Sequence, residues 1–185
     1  MKRNGQDVHN NNPGEELNFH GPINSTNTRL GANFGYPNCY AVWDTASVSG
    51  LARGSQMIQN APSGSLTDSY CATTPLPPRL AFPAHTAPLD IKFRKDGKAA
   101  YVTFHGSWNR SPPDGYRVSR IEYGADGQPK EPSTSNTAAV NIMWNANNAN
   151  CPSQCFRPVG LAFDSKDRLF MTSDSSGELF VITGE

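Results

Sequence analysis

Apolar and polar positions alternate over short runs in the second half of the chain, and turns of Asp, Gly and Lys separate the runs. Leu89-Asp90-Ile91-Lys92-Phe93 alternates, Arg94 to Lys98 is a turn, and Ala100-Tyr101-Val102-Thr103-Phe104 is apolar again. Alternation over four to eight residues marks a half-buried strand, and a short polar turn between two such runs predicts a hairpin. Seventy positions later, from Pro88 to Pro158, the pattern returns. Val159-Gly160-Leu161-Ala162-Phe163, the turn Asp164 to Asp167 and Leu169 to Thr172 repeat it, and Phe163 stands opposite Phe93. Further strands are predicted over 116–123, 138–144 and 178–182, with Asp174-Ser175-Ser176-Gly177 as the turn before the last. No stretch supports a long amphipathic helix.

Repeated meanders of this kind are the units of a β-propeller, in which radial closure protects the sheet edges. A closed propeller has four to eight blades, and a chain of 185 residues supplies roughly three at this repeat length. The prediction is therefore an all-β fold, an incomplete arc of about three blades filling 1–185. A β-sandwich of similar strand count is the alternative. Between Val42 and Pro78 the pattern dissolves into Ser, Thr, Gly and Pro. An irregular insertion is expected at about 45–78, held by Cys39 and Cys71 and lying on one face.

Charge narrows the function. Sixteen Lys and Arg balance 16 Asp and Glu, which argues against a nucleic-acid footprint or a polybasic membrane patch. No segment approaches the roughly 18 apolar residues of a membrane span. The four cysteines, 39, 71, 151 and 155, allow three pairings. Spacing in Cys151-Pro-Ser-Gln-Cys155 is too wide for the usual redox pair, and a zinc site lacks a second short-spaced pair. Bridges Cys39–Cys71 and Cys151–Cys155 fit better, and they imply an oxidising, extracellular compartment. The opening Met-Lys-Arg-Asn-Gly-Gln-Asp has no apolar run of a secretory leader; an N-terminal portion outside the chain would reconcile the two. Asn24-Ser25-Thr26 and Asn109-Arg110-Ser111 have the form of glycosylation acceptors.

Asn10-Asn11-Asn12-Pro13-Gly14-Glu15-Glu16-Leu17-Asn18 reads as a polar turn followed by a strand, and Gly31-Ala32-Asn33-Phe34-Gly35-Tyr36-Pro37 as a second turn. Together they resemble the soluble quinoprotein sugar dehydrogenases, six-bladed propellers that use pyrroloquinoline quinone and calcium. The segments 84–93 (AHTAPLDIKF), 104–110 (FHGSWNR) and 155–178 are similar to the fungal pyranose, or sorbosone-type, branch of that family. The resemblance covers nearly the whole chain outside 45–75 and implies the C-terminal half of the domain.

The quinone is a flat tricarboxylate, so its pocket calls for guanidinium forks, a stacking surface and a hard cation held by oxygen. Arg110 and Arg157 suit the carboxylates, while Trp108 and His105 offer stacking and a hydrogen bond. His85, at the start of an inner strand, is the candidate on the sugar side. The resemblance puts calcium on main-chain carbonyls of Asn11, Asn12 and Pro13. Glu15 and Glu16 are neighbours on a strand and face opposite sides, so they do not form an acid/base pair. By resemblance, the intact enzyme oxidises a pyranose by hydride transfer to the quinone, draws its general-base histidine from earlier blades and passes electrons to an acceptor such as a cytochrome domain. This chain alone is then expected to be inactive. The competing readings are a propeller fragment that binds a sugar or protein without catalysis, and a lactonase-like calcium propeller.

Overall fold

The computed structural model describes residues 1–3, 5–23, 26–59 and 63–184; the triplet at Asn24 lies outside them in part. Among these residues the architecture is all-β with antiparallel pairing, apart from one six-residue helix and a 3₁₀ turn at Asn148–Asn150. Two compact units divide the chain: residues 1–84 with 132–136, and residues 85–131 with 137–184.

The first unit is built from strands of two or three residues. Strands β1 (Lys2–Arg3) and β2 (Gln6–Asp7) pair with each other, as do β4 (Cys39–Ala41) and β5 (Gln56–Ile58). Strand β3 (Glu15–Leu17) pairs with β6 (Leu80–Phe82). Val8, Val42, Val48 and Met57 form one buried cluster, and Cys39, Ile58 and Cys71 another. Within 45–78 lie β5 and helix α1 (Asp68–Thr73). Thr67 caps α1 by accepting from the Tyr70 amide, a local device that satisfies an otherwise orphaned donor. A helix this short does not persist by its own propensity. It is fastened by the disulfide Cys39–Cys71, with Cα atoms 5.5 Å apart, and by Asp68. The Asp68 carboxylate accepts from both Nη atoms of the buried Arg3 and from the Ile58 amide at 3.1 Å.

The hydrogen bond from Arg3 holds the Asp68 carboxyl below its ordinary range, the Ile58 amide contributing in the same direction against partial burial. A carboxyl depressed in the folded state stabilises the fold above its unfolded pKa, and that contribution fades as pH falls through the folded value. The thermal-unfolding gap between wild type and Asp68→Asn should therefore be widest at neutral pH and shrink below about pH 4. A gap independent of pH would reject this account of the clip.

The second unit holds two meanders. Strands β7 (Pro88–Phe93), β8 (Ala99–Phe104), β9 (Arg117–Glu122) and β10 (Val140–Trp144) form a sheet in sequence order, and β11 (Pro158–Phe163), β12 (Leu169–Ser173) and β13 (Leu179–Ile182) form another. The internal repeat predicted at 87–104 and 158–173 extends to register. Pro88 pairs with Phe104 and Pro158 with Ser173, and each first strand shifts register just after its proline. Thr103 Oγ1 accepts from the Asp90 amide at 2.9 Å, as Thr172 Oγ1 accepts from Gly160 at 3.0 Å. Strand β8 is buried along its whole length. Tyr101, Val118, Leu161, Leu169 and Met171 close the core between the sheets, with the Tyr101 and Phe163 rings edge to face at 5.5 Å.

Polar clips fix how the two sheets meet. Asp90 Oδ2 accepts from the Leu161 amide at 2.8 Å, and Thr103 Oγ1 donates to the Val159 carbonyl at 2.8 Å. Burial opposes ionisation of Asp90, yet the hydrogen bonds from Lys92 and Leu161 prevail and its pKa lies below the ordinary value.

Candidate functional site: an arginine held through an imidazole

The ends of the paired strands place the side chains that carry chemistry. His105 follows β8 directly, and its amide donates to the Ala87 carbonyl at 2.9 Å. Asp174 follows β12 directly, and its amide donates to the Arg157 carbonyl at 3.3 Å. Backbone pairing therefore puts His105 beside Ala87 and Asp174 beside Arg157 at matching corners of the two meanders. The packing of the sheets then joins the corners. Arg157 Nη2 lies 3.1 Å from His105 Nδ1, while His105 Nε2 lies 2.9 and 3.1 Å from the two Asp174 oxygens. The Arg157 amide also donates to Ser173 Oγ at 3.1 Å. Arg157 Nε is buried and has no hydrogen-bond partner among the described residues.

Arg110 and Trp108 sit in the loop 105–116 that links β8 to β9. Ser107 and Asp114 close this loop, with the Ser107 amide donating to the Asp114 carbonyl at 2.8 Å and the Asp114 amide to Ser107 Oγ at 2.9 Å. Below it the fully buried Tyr116 donates its hydroxyl to the Ser107 carbonyl. Gly106, at φ 108°, lies against the Tyr116 ring where a Cβ has no room, so this corner requires glycine. Arg110 Nε donates to the Pro112 carbonyl at 3.2 Å, and its Nη1 is 3.6 Å from Asp114. Asp114 is shared with Arg117, whose guanidinium lies 2.6 Å away and stacks over Phe104. Trp108 is 83% exposed at the loop surface.

The structure thus brings His105 and Arg157 into contact and engages Arg110 separately, within its own loop. His85 precedes β7 instead of starting it, and is held with φ 60°. Ala87 and Tyr116 are also left-handed, with φ of 52° and 53°. Left-handed non-glycine residues persist where the surroundings over-determine them, and they concentrate at functional sites. Asp174, Asp114, Arg117 and Tyr116 did not stand out in the sequence as site residues. For Asp174 a signal exists: carrying the repeat one residue past β12 sets it opposite His105.

In the first unit, the turn at Asn11 to Pro13 is organised by Asn12, which is fully buried. Its Oδ1 accepts from the Trp43 and Asp44 amides at 2.8 and 3.2 Å, and its Nδ2 donates to the Asp44 carbonyl and Ser47 Oγ at 3.0 and 2.9 Å. The Asn12 side chain is spent on the turn itself. Main-chain carbonyls are what this turn can offer a cation, and oxygen donors of that kind suit calcium. Among the described residues, no three His, Cys, Asp or Glu side chains group as a metal site. Glu16 has its pKa raised by burial, against hydrogen bonds from Asn18 and the Ala41 amide. Cys151 and Cys155 are joined in a bridge beside the 3₁₀ turn, ahead of Arg157.

Comparison with known proteins places these features in a family. The family model described as TrAA12-like matches residues 1–185. A pyrroloquinoline quinone-dependent sugar dehydrogenase of Hypocrea jecorina (strain QM6a) is 46% identical over 185 residues, which is 98% of this chain and 41% of that protein. The calcium structure of Trichoderma reesei carbohydrate-active enzymes family AA12 superposes with a TM-score of 0.95 at 47% identity, covering 100% of this chain and 46% of that one. The holo form of the pyranose dehydrogenase PQQ domain from Coprinopsis cinerea gives 0.85 at 39% identity, covering 98% and 47%. The chain therefore spans less than half the length of these relatives.

Proposed function

The chain belongs to the TrAA12-like family, and from that premise we propose that it forms part of an extracellular, pyrroloquinoline quinone-dependent pyranose dehydrogenase. In this reading the two meanders of the second unit are successive blades of a six-bladed propeller, and the whole chain is an arc of about three. The observation that carries the proposal is similarity over 98% of the chain, at 46% identity, to a relative named a pyrroloquinoline quinone-dependent sugar dehydrogenase, and over 97% of it, at 39%, to one named a pyranose dehydrogenase. The two disulfides agree with an oxidising compartment.

The donor sets fit the cofactors. Arg157 has a buried Nε–H without a partner, a donor that a carboxylate of the quinone would satisfy. Exposed Trp108, on the loop that follows His105, would supply a flat surface. Arg110 would offer a guanidinium to a second carboxylate on giving up Asp114. His85 would serve the sugar side, and the Asn11, Asn12 and Pro13 carbonyls would offer oxygen to calcium. When bound, the quinone supplies a two-electron acceptor and calcium a Lewis acid. In this reading the base that takes the sugar hydroxyl proton comes from the part of the domain outside this chain, and electrons leave to an acceptor such as a cytochrome domain.

A dye-reduction assay tests this reading. The longer domain that includes this chain is expected to oxidise a pyranose only with quinone and calcium present, and the 185-residue chain alone to be silent. Quinone-independent behaviour of the longer domain would overturn the assignment; turnover by the chain alone would overturn the external base.

A further inference from the structure

We propose that Asp174 is a positioning residue: acting through His105, it presets the Arg157 guanidinium for an anionic ligand. That this ligand is a quinone carboxylate rests on the function proposed above; the positioning itself rests on geometry.

Arginine carries donors only. With Arg157 Nη2 3.1 Å from His105 Nδ1, Nδ1 must present its lone pair. The ring proton then sits on Nε2, where the Asp174 carboxylate accepts it at 2.9 to 3.1 Å. Asp174 thus selects the tautomer, the tautomer creates an acceptor for Nη2, and that bond fixes the rotation of the guanidinium. Of the donors that remain, the Nε–H is buried and has no hydrogen-bond partner among the described residues. A buried donor left unpaired is costly, so the site stores a demand that a carboxylate oxygen relieves. Interposing the imidazole has a second effect. Asp174 orients Arg157 without forming a direct ion pair with it, which leaves the cationic fork available to the ligand. Without Asp174 the ring is free to carry its proton on Nδ1, where it would face Nη2 donor to donor and expel it.

The repeat explains how this arrangement is built. The same backbone corner carries Ala87 and His105 in one meander and Arg157 and Asp174 in the next, so two pairs already fixed by their main chains are brought together by sheet packing.

Nitrogen-edited NMR of the histidine and arginine side chains tests the proposal on this chain, with Asp174→Ala and Asp174→Asn beside wild type. Asp174 is half-exposed, so neither change empties a core. Wild type should show His105 protonated at Nε2 and a slowly exchanging Arg157 Nε–H. Asp174→Ala should lose both signatures, and Asp174→Asn, whose Oδ1 also accepts from Nε2–H, should restore them. In the longer domain the same series should lower quinone affinity about tenfold in Ala, the scale seen when a residue orienting a histidine is removed, with recovery in Asn. A wild-type ring protonated at Nδ1, or signatures unchanged in Ala, overturns the positioning role. Signatures that change as expected in a domain with no affinity for the quinone uphold that role and overturn the quinone reading instead.

Discussion

Replacing Arg157 by Ala is expected to weaken quinone binding to the longer domain by about 30- to 5000-fold, the range for truncating one partner of a buried, hydrogen-bonded charge pair. The size follows from what Arg157 does in this chain. Its Nη2 is spent on His105 and its Nε–H on nothing, so the free protein gains little by keeping the guanidinium and the ligand gains a charge-assisted bond. Arg157→Lys should not rescue it, because an ammonium cannot bond His105 and a carboxylate through a planar fork. Arg110→Ala should cost less, under about tenfold, since its guanidinium already serves Pro112 and Asp114 and must surrender them to reach a ligand. Spectrophotometric titration of the quinone in the presence of calcium measures all three. Unchanged affinity in Arg157→Ala would make that arginine a structural strut for His105 and nothing more.

The second unit was legible because its strands are five or six residues long in all but one case, enough for alternation along the partly buried β7 and for an unbroken apolar run along the buried β8 to report the fold. The Pro88/Pro158 offset disclosed the repeat down to the shared register shift. Strands β1, β2, β4, β5 and β6 were not legible: two or three residues hold no period, and their pairing is set by side chains such as Arg3 and Asn12 that bond across 31 to 65 positions. Helix α1 was hidden in a Ser- and Thr-rich stretch, although Thr67 stands where a cap should. Chemistry divided along the same line. Arg157, Arg110, Trp108 and His105 became candidates through the family resemblance, and of these the structure joins Arg157 to His105. The contact of His105 with Asp174 is 69 positions long, and an aspartate opening a Ser-Ser-Gly segment reads as a turn residue until sheet packing gives it a partner.

Loss of the long disulfide is expected to destabilise the chain more than loss of the short one. Cys39 and Cys71 close a loop 32 positions apart, whereas Cys151 and Cys155 are separated by 4. On the chain-entropy model, removing the first should cost about 4 kcal/mol and the second about 2 kcal/mol. Packing raises the contrast. Both Cys39 and Cys71 are buried, within a cluster that Ile58, Leu66 and Tyr70 complete, whereas Cys155 is only half-buried. Helix α1 depends on the bridge through Cys71, and its remaining polar tethers run from Asp68 to Arg3 in β1 and to the Ile58 amide in β5. Urea unfolding of Cys39→Ser/Cys71→Ser beside Cys151→Ser/Cys155→Ser measures the difference. The first variant should show the lower midpoint, together with early proteolytic cleavage between Gln56 and Leu80. Equal midpoints in the two variants would mean that the segment around α1 is held by its packing and by Asp68, and that the loop closed by the bridge is already restricted in the unfolded chain.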